Sequence, residues 1–238
     1  MRFLAAPGSL VTDAVVTLDA SETHHAEVRR GKAGDQVELL DGAGTVAAAT
    51  IRAVGKDWTA HVDSITLVPE PTPFVLALGA GDRDRFLAVA QQCAELGITR
   101  LVPIETERSR QVETRIRESA VEKARRRVRE ASKQSGNPWI PIVDDLLPLS
   151  GLGITGSGVH WFFGDPGGEP LEQLHPAEPV GWVIGPEGGF SPSEVAWLGE
   201  RLDARPIWLG PHILRFETAA VAAAVLTLQL RERARMVR

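Results

Sequence analysis

The stretch from Val180 to Ala224 constrains this chain more than any other. A short apolar run, Gly181-Trp182-Val183-Ile184, ends in the loop Gly185-Pro186-Glu187-Gly188-Gly189-Phe190, and Ser191-Pro192-Ser193-Glu194 then opens a helix. A second run, Pro206-Ile207-Trp208-Leu209, ends in Gly210-Pro211-His212-Ile213-Leu214-Arg215, with Glu217-Thr218-Ala219 leading into an alanine-rich helix. Upstream, Val159-His160-Trp161-Phe162-Phe163 stops at Gly164-Asp165-Pro166-Gly167-Gly168. Short apolar runs that each finish on glycine and a turn, with a helical pattern following, read as buried strands of a parallel sheet. If they lie parallel, all three glycine loops emerge at the sheet's carboxyl edge, where open α/β sheets bind ligands. The expectation is a small-molecule site at that edge.

The preceding chain supports the same architecture. Phe74 to Leu78 reads as a strand, and Arg85 to Leu96 as an amphipathic helix stopped by Gly97. Leu101 to Ile104 is the next strand, and Arg115 to Gln134 a long charged helix ending before Ser135-Gly136-Asn137-Pro138. Strands alternating with helices imply an α/β fold with right-handed crossovers. Ser150 to Gly158 reads as a surface loop. Ser191, Pro192 and Glu194 have the spacing of a capping box, which fixes the helix after the glycine loop. The last helix, Glu217 to about Arg233, is apolar on nearly every side from Ala219 to Leu230, so it is expected to be buried in the core or against another subunit.

Residues 1–68 have a different rhythm. Ala14 to Leu18, Gln36 to Leu40, Val46 to Ile51 and Trp58 to Val62 are short strands, and Asp41-Gly42 between two of them is a hairpin signal. Ser21 to Arg30 reads as one short helix, so a small β-barrel with a helix is expected. Val68-Pro69-Glu70-Pro71-Thr72-Pro73 favours a stiff extended connection. The predicted organisation is therefore a barrel over residues 1–68, a linker over 69–73, and an α/β domain over 74–238.

Composition narrows the function. The single cysteine, Cys93, excludes an internal disulfide framework and a cysteine-built zinc site, and no other metal-ligating cluster is apparent. The amino terminus has no signal-peptide pattern, and Ala219 to Leu226 is too short an apolar run to span a bilayer, so a cytoplasmic location is expected. Net charge is −5, yet residues 71–133 carry 13 basic against 9 acidic side chains, concentrated between Arg108 and Lys133 around Arg125-Arg126-Arg127. Charge alone leaves two readings, a solvated helix face or a phosphate-binding stripe.

Gly185-Pro186-Glu187-Gly188-Gly189, followed by Leu209-Gly210-Pro211-His212-Ile213-Leu214-Arg215-Phe216-Glu217-Thr218-Ala219, resembles the paired signature of the RsmE-type 16S ribosomal RNA (uracil-N3)-methyltransferases of the SPOUT superfamily. Glu95-Leu96-Gly97-Ile98, Pro103 and Glu107-Arg108-Ser109 match that family's catalytic domain. His24-His25, Val28, Arg30, Gly34-Asp35 and Asp41-Gly42 match its PUA-like RNA-binding domain. Gln92 and Asn137 depart from it, standing where lysine and arginine are usual. The resemblance implies a SPOUT-type parallel sheet with a deep carboxyl-terminal trefoil knot, preceded by a small PUA-like β-barrel. It also implies S-adenosyl-L-methionine (SAM) as cofactor, an obligate homodimer, and one uridine of 16S rRNA near the decoding centre of the small ribosomal subunit as substrate. Two other readings remain open: an enzyme of the same fold acting on another RNA such as tRNA, and a non-catalytic ribosome-assembly factor.

Methyl transfer to uracil N3 requires a positioned cofactor, loss of the N3 proton, and stabilisation of the anion that results. Under the resemblance, the cofactor-binding residues are Gly164, Ile184, Gly185, Glu187, Gly188, Gly189, Leu209, Gly210, Ile213 and Leu214. Glycine lets backbone approach a ligand closely, and the aliphatic side chains supply contacts to the adenosyl group. Arg215 is the candidate for stabilising the uracil anion or gripping a phosphate, against a simple ion pair with Glu217 or Glu187. Glu217 is a candidate proton acceptor, or else a carboxylate favouring the start of the last helix. Arg30, Lys32, Arg108, Arg125 and Arg126 are the RNA-binding candidates.

Overall fold

The computed structural model describes residues 1–55, 57–109, 116–154 and 158–236. It forms two compact units, Met1–Pro71 with Arg129–Ile140, and Thr72–Val128 with Pro141–Arg238.

The first unit holds β1 (Arg2–Leu4), β2 (Val15–Thr17), α1 (Ala20–Val28), β3 (Gln36–Leu40), β4 (Thr45–Ala53) and β5 (Thr59–Leu67), with sheet order β1-β3-β4-β5-β2. The period-two pattern sends Val37 and Leu39, then Ala47, Ala49 and Ile51, then Ala60 and Val62 into one core with Phe3 and Trp58. The expected barrel is thus a sheet curled around that core, and its first strand, β1, has no counterpart in the sequence reading.

The Asp41-Gly42 hairpin forms as predicted, with Gly42 at φ 74°. Asp41 Oδ1 accepts the amides of Ala43 and Thr45, each at 2.8 Å. Burial works against the charge of Asp41, but those amide hydrogens outweigh it and hold the carboxyl below its ordinary range. This contribution to stability is full above that range and is lost as pH falls through the lowered value. Protection of the Thr45 amide, corrected for intrinsic exchange, should therefore drop in acid, and it should be low at every pH in Asp41→Ala.

Residues 129–140 complete this unit. Lys133 Nζ lies 2.9 Å from Glu22 Oε1 and 2.9 Å from Glu130 Oε2, and Trp139 Nε1 donates to the Val68 carbonyl at 3.2 Å. The amide of Gly44, at the hairpin, donates to the Pro138 carbonyl at 3.0 Å. Asn137, one of the departures from the family pattern, accepts the Trp139 amide at 3.0 Å and so shapes this turn.

The second unit begins with β6 (Phe74–Gly79), α2 (Arg83–Glu95) and β7 (Arg100–Glu105), followed by the start of α3 (Glu118–Ser135). It continues through β8 (Ile142–Val143), β9 (Leu147–Pro148), β10 (His160–Glu169), β11 (Val180–Ile184), α4 (Pro192–Glu200), β12 (Arg205–Ile207) and α5 (Phe216–Met236). The sheet runs β12-β10-β11-β6-β7-β8, with β9 also on β7, and every pairing is parallel. The three glycine loops accordingly share the carboxyl edge. One sheet face presents Val75, Ala77, Val102, Ile104, Trp161, Phe163 and Val183 to a core shared with Leu198 of α4. On α5, Thr227 Oγ1 accepts the Trp182 indole at 2.9 Å and donates to the Ala223 carbonyl. Farther along, the buried Arg231 guanidinium donates to the Pro73 and Glu178 carbonyls at 2.9 and 2.7 Å, and burial lowers its pKa to about 10.

Several expectations need correction. No helix follows β10 among the described residues, because Pro170, Pro176 and Pro179 interrupt the connection to β11. Nor does β10 stop at Gly164. The chain loops outward, and Gly164 and Glu169 both pair with Ile207. The expected loop from Ser150 opens with a 3₁₀ helix, Leu149–Ile154, while 155–157 lie outside the described residues. Arg115, the expected start of the long helix, also lies outside them. The last helix buries one stripe within the chain, through Ala220, Ala223, Ala224, Thr227, Leu230 and Arg231, as the core alternative requires, while Val225 on another side is 41% exposed. No described helix is long and apolar enough to cross a membrane.

Candidate functional site

Residues 164–166 of β10 and the loops that follow β11 and β12 surround a cavity of about 390 Å³, within the range of small-molecule sites. Gly164, Ile184, Gly185, Glu187, Gly188, Gly189, Leu209, Gly210, Ile213 and Leu214 all line it. Pro166, Phe190, His212, Phe216 and Ala219 join them. His212, Phe216 and Ala219 belong to the signature that carries the resemblance, and Pro166 and Phe190 to the glycine loops, although the sequence reading assigns none of the five to the site. A Cβ built on Gly164 would lie 3.2 Å from Leu209 Cδ1 and 3.5 Å from Ile184 Cδ1, whereas one on Gly210 would meet nothing within 4 Å. Among the described residues nothing therefore requires glycine at 210.

The loop after β11 is fixed from three directions. Gly79, at the end of β6, passes so near that a Cβ there would lie 2.5 Å from the Pro186 nitrogen. Glu187 Oε1 accepts the Asp82 amide at 3.2 Å, which turns that carboxylate toward the end of β6. At the far end the capping box is complete: Ser191 Oγ accepts the Glu194 amide, and Glu194 Oε2 accepts that of Ser191 at 2.8 Å. The other carboxylate oxygen, Oε1, accepts the Glu107 amide at 2.7 Å, and Arg108 Nη1 donates to the Gly188 carbonyl at 2.6 Å.

Arg215 and Glu217 flank Phe216, a wall residue, without lining the cavity themselves. Arg215 is exposed, and no ion-pair partner of its guanidinium is found among the described residues. The expected alternative, pairing with Glu217 or Glu187, does not occur. Glu217 lies in the first turn of α5, with Oε1 3.4 Å from Arg85 Nη1 and Oε2 buried without a hydrogen-bond donor among the described residues.

A family model described as the RNA methyltransferase domain matches residues 68–228, and one described as the RNA methyltransferase PUA domain matches residues 18–57. The chain belongs to this RNA methyltransferase family. A relative named ribosomal RNA small subunit methyltransferase E, from Synechocystis, is 28% identical over 93% of this chain and 75% of its own length. Its namesake from Aquifex aeolicus is 37% identical over 56% of this chain and 58% of its own. The solved ribosomal RNA small subunit methyltransferase E of Neisseria gonorrhoeae, bound to S-adenosyl methionine, superposes with a TM-score of 0.86 at 25% identity, covering 96% of this chain and 97% of that one. A Legionella pneumophila methyltransferase with bound SAM gives 0.82 at 26%, over 96% and 97%.

In this family member the basic candidates divide. Arg30, with φ 56°, and Lys32 are exposed beside α1 and β3, and Arg126 is exposed on α3. Arg125 is different, being engaged within its own unit. Its guanidinium is committed to the Val143 carbonyl at 3.1 and 3.0 Å, to Asp145 at 2.8 Å and to Glu122. Arg108 points its guanidinium at the glycine loop. Among the described residues no group of three or more histidine, cysteine or carboxylate side chains could hold a metal.

Proposed function

We propose that this chain transfers a methyl group from SAM to N3 of a uridine of 16S rRNA near the decoding centre of the small ribosomal subunit, in the cytoplasm. One observation carries the proposal: three glycine loops, distant in sequence, line a single cavity at the carboxyl edge of a parallel sheet. The residues present fit SAM. Ile184, Leu209, Ile213 and Leu214 offer an apolar wall to the adenosyl group, and the backbone of Gly185, Gly188, Gly189 and Gly210 can approach it closely. When bound, SAM supplies an electrophilic methyl group. The protein's task is then to align uracil N3, exclude water and stabilise the anion.

We assign that stabilisation to Arg215, a cation at the start of α5 beside the cavity wall with no ion-pair partner among the described residues. Glu217 acts in this proposal as a positioning carboxylate, since Arg85 holds one oxygen and the other is buried, and the N3 proton passes to solvent as the uracil anion forms. A homodimer belongs to the proposal, supported by the exposure of Val225 at 41% and Trp208 at 39%. The trefoil knot belongs to it too. Its support is the pairing of β12 with β10, where a Cβ on Gly168 would lie 2.6 Å from the Ile207 amide nitrogen. Arg30, Lys32 and Arg126 are proposed to meet RNA phosphates.

The test supplies labelled SAM with unmodified small subunits, free 16S rRNA or bulk tRNA, followed by nucleoside analysis. Label in N3-methyluridine of the small subunit is expected, with SAM binding lost in Gly164→Val, whose side chain enters the cavity. Label in tRNA alone would discard the substrate, and failure of the wild-type protein to bind SAM would discard the activity.

A further inference from the structure

The loop that follows β7 is built as a brace. Thr106 and Ser109 close it on themselves: the Thr106 amide donates to Ser109 Oγ at 2.9 Å, the Ser109 amide to Thr106 Oγ1 at 3.2 Å, and Ser109 Oγ to the Thr106 carbonyl at 2.9 Å. Both side chains are buried. The loop is then fastened to the start of α4 by two further bonds. Glu194 Oε1 accepts the Glu107 amide at 2.7 Å, and Ser193 Oγ donates to Glu107 Oε1 at 2.9 Å. From this anchored base Arg108 reaches the loop after β11.

Contact between Arg108 and that loop is both polar and steric. Its Nη1 donates to the Gly188 carbonyl at 2.6 Å, and a Cβ on Gly188 would lie 3.3 Å from Arg108 Cβ and 3.4 Å from its Cδ. The methylene stem therefore runs along Gly188 while the charged head fixes the direction of its carbonyl. Gly189 follows at φ 68°, so the peptide that Arg108 holds leads into a left-handed turn. Both glycines line the cavity. An unbraced glycine pair has a wide choice of backbone conformations, which ligand binding would have to narrow at an entropic cost.

We propose that Arg108 is a positioning residue for the cofactor loop rather than an RNA contact: it presets the Gly188-Gly189 backbone in the conformation that takes the ligand. This rests on the reading of the cavity as a SAM site. Arginine meets the geometric demand better than lysine, because its planar fork carries donors beyond the methylene stem that lies on the glycine.

The experiment measures SAM affinity by calorimetry without RNA, and small-subunit affinity across a salt series, for wild type, Arg108→Lys and Arg108→Met. Apo melting temperature serves as the control for folding. Arg108→Met should weaken SAM binding about tenfold, a typical loss for a hydrogen bond made by a charged group. Arg108→Lys should fall between it and wild type. RNA affinity and its salt slope should stay within about twofold for both variants, as neither removes a phosphate contact. Weakened RNA binding with SAM affinity intact, rescued by lysine, would overturn the proposal in favour of a phosphate contact. Unchanged affinity for both would overturn it as well. If wild type itself does not bind SAM, the reading of the cavity fails, and the brace is not what failed.

Discussion

In Lys133→Met, the amides of α1 should exchange as though the first unit had lost about 3–5 kcal/mol of stability. Lys133 and Glu22 are 4% and 3% exposed at their side chains, and 2.9 Å separates the ammonium from the carboxylate. Removing the lysine strands an anion in a place water does not reach, which costs far more than the pair contributes when intact. Burial already pushes the Glu22 carboxyl up, and the Lys133 ammonium only partly offsets it. A group with a raised pKa stabilises the fold below its unfolded value and loses that contribution as pH rises through the folded one. The deficit of the single variant should therefore be small in acid and complete at neutral pH. Glu22→Leu combined with Lys133→Met should recover most of it, as both charges are then gone. A single variant as protected as wild type at neutral pH would show that the pair is not needed.

Arg215→Ala should lower kcat for methyl transfer by about 10²–10³ with the KM for SAM unchanged, the loss usual for one electrostatic contact made in the transition state. The motivating observation is a guanidinium at the start of α5, adjoining Leu214 and Phe216 of the cavity wall, with no carboxylate paired to it among the described residues. Single-turnover kinetics with saturating SAM would isolate the step. A raised KM for RNA at unchanged kcat would instead assign Arg215 to gripping a phosphate.

The legible parts of this chain were those where local pattern and tertiary role coincide. Val180–Ile184 is buried at every position, as a central parallel strand must be, so its run of apolar residues and its terminal glycine could be read directly. The capping box at Ser191 and the hairpin at Asp41 are likewise local. The strands β1, β8 and β9, of two or three residues each, carry no period and exist only because a neighbour pairs with them. The arginines show the same limit. Arg125 and Arg126 are adjacent in sequence and one helical step apart, which turns one onto Val143 and leaves the other in solvent. Composition cannot make that distinction. Nor could it reveal that Arg108 meets Gly188, 80 residues away.

The first unit is assembled from two stretches of chain that leave the ribosome at different times. When Pro71 has emerged, Glu22 still lacks its ammonium, the Val68 carbonyl lacks its indole, and the Gly44 amide lacks the Pro138 carbonyl. All three partners arrive only with residues 129–140, after β6, α2 and β7 of the other unit have been made. During synthesis the curled sheet must wait, part-finished, for a helix end that belongs to a later segment. A cut at the proline-rich connection would accordingly release an incomplete fold, and the order of translation couples completion of the first unit to the growth of the second.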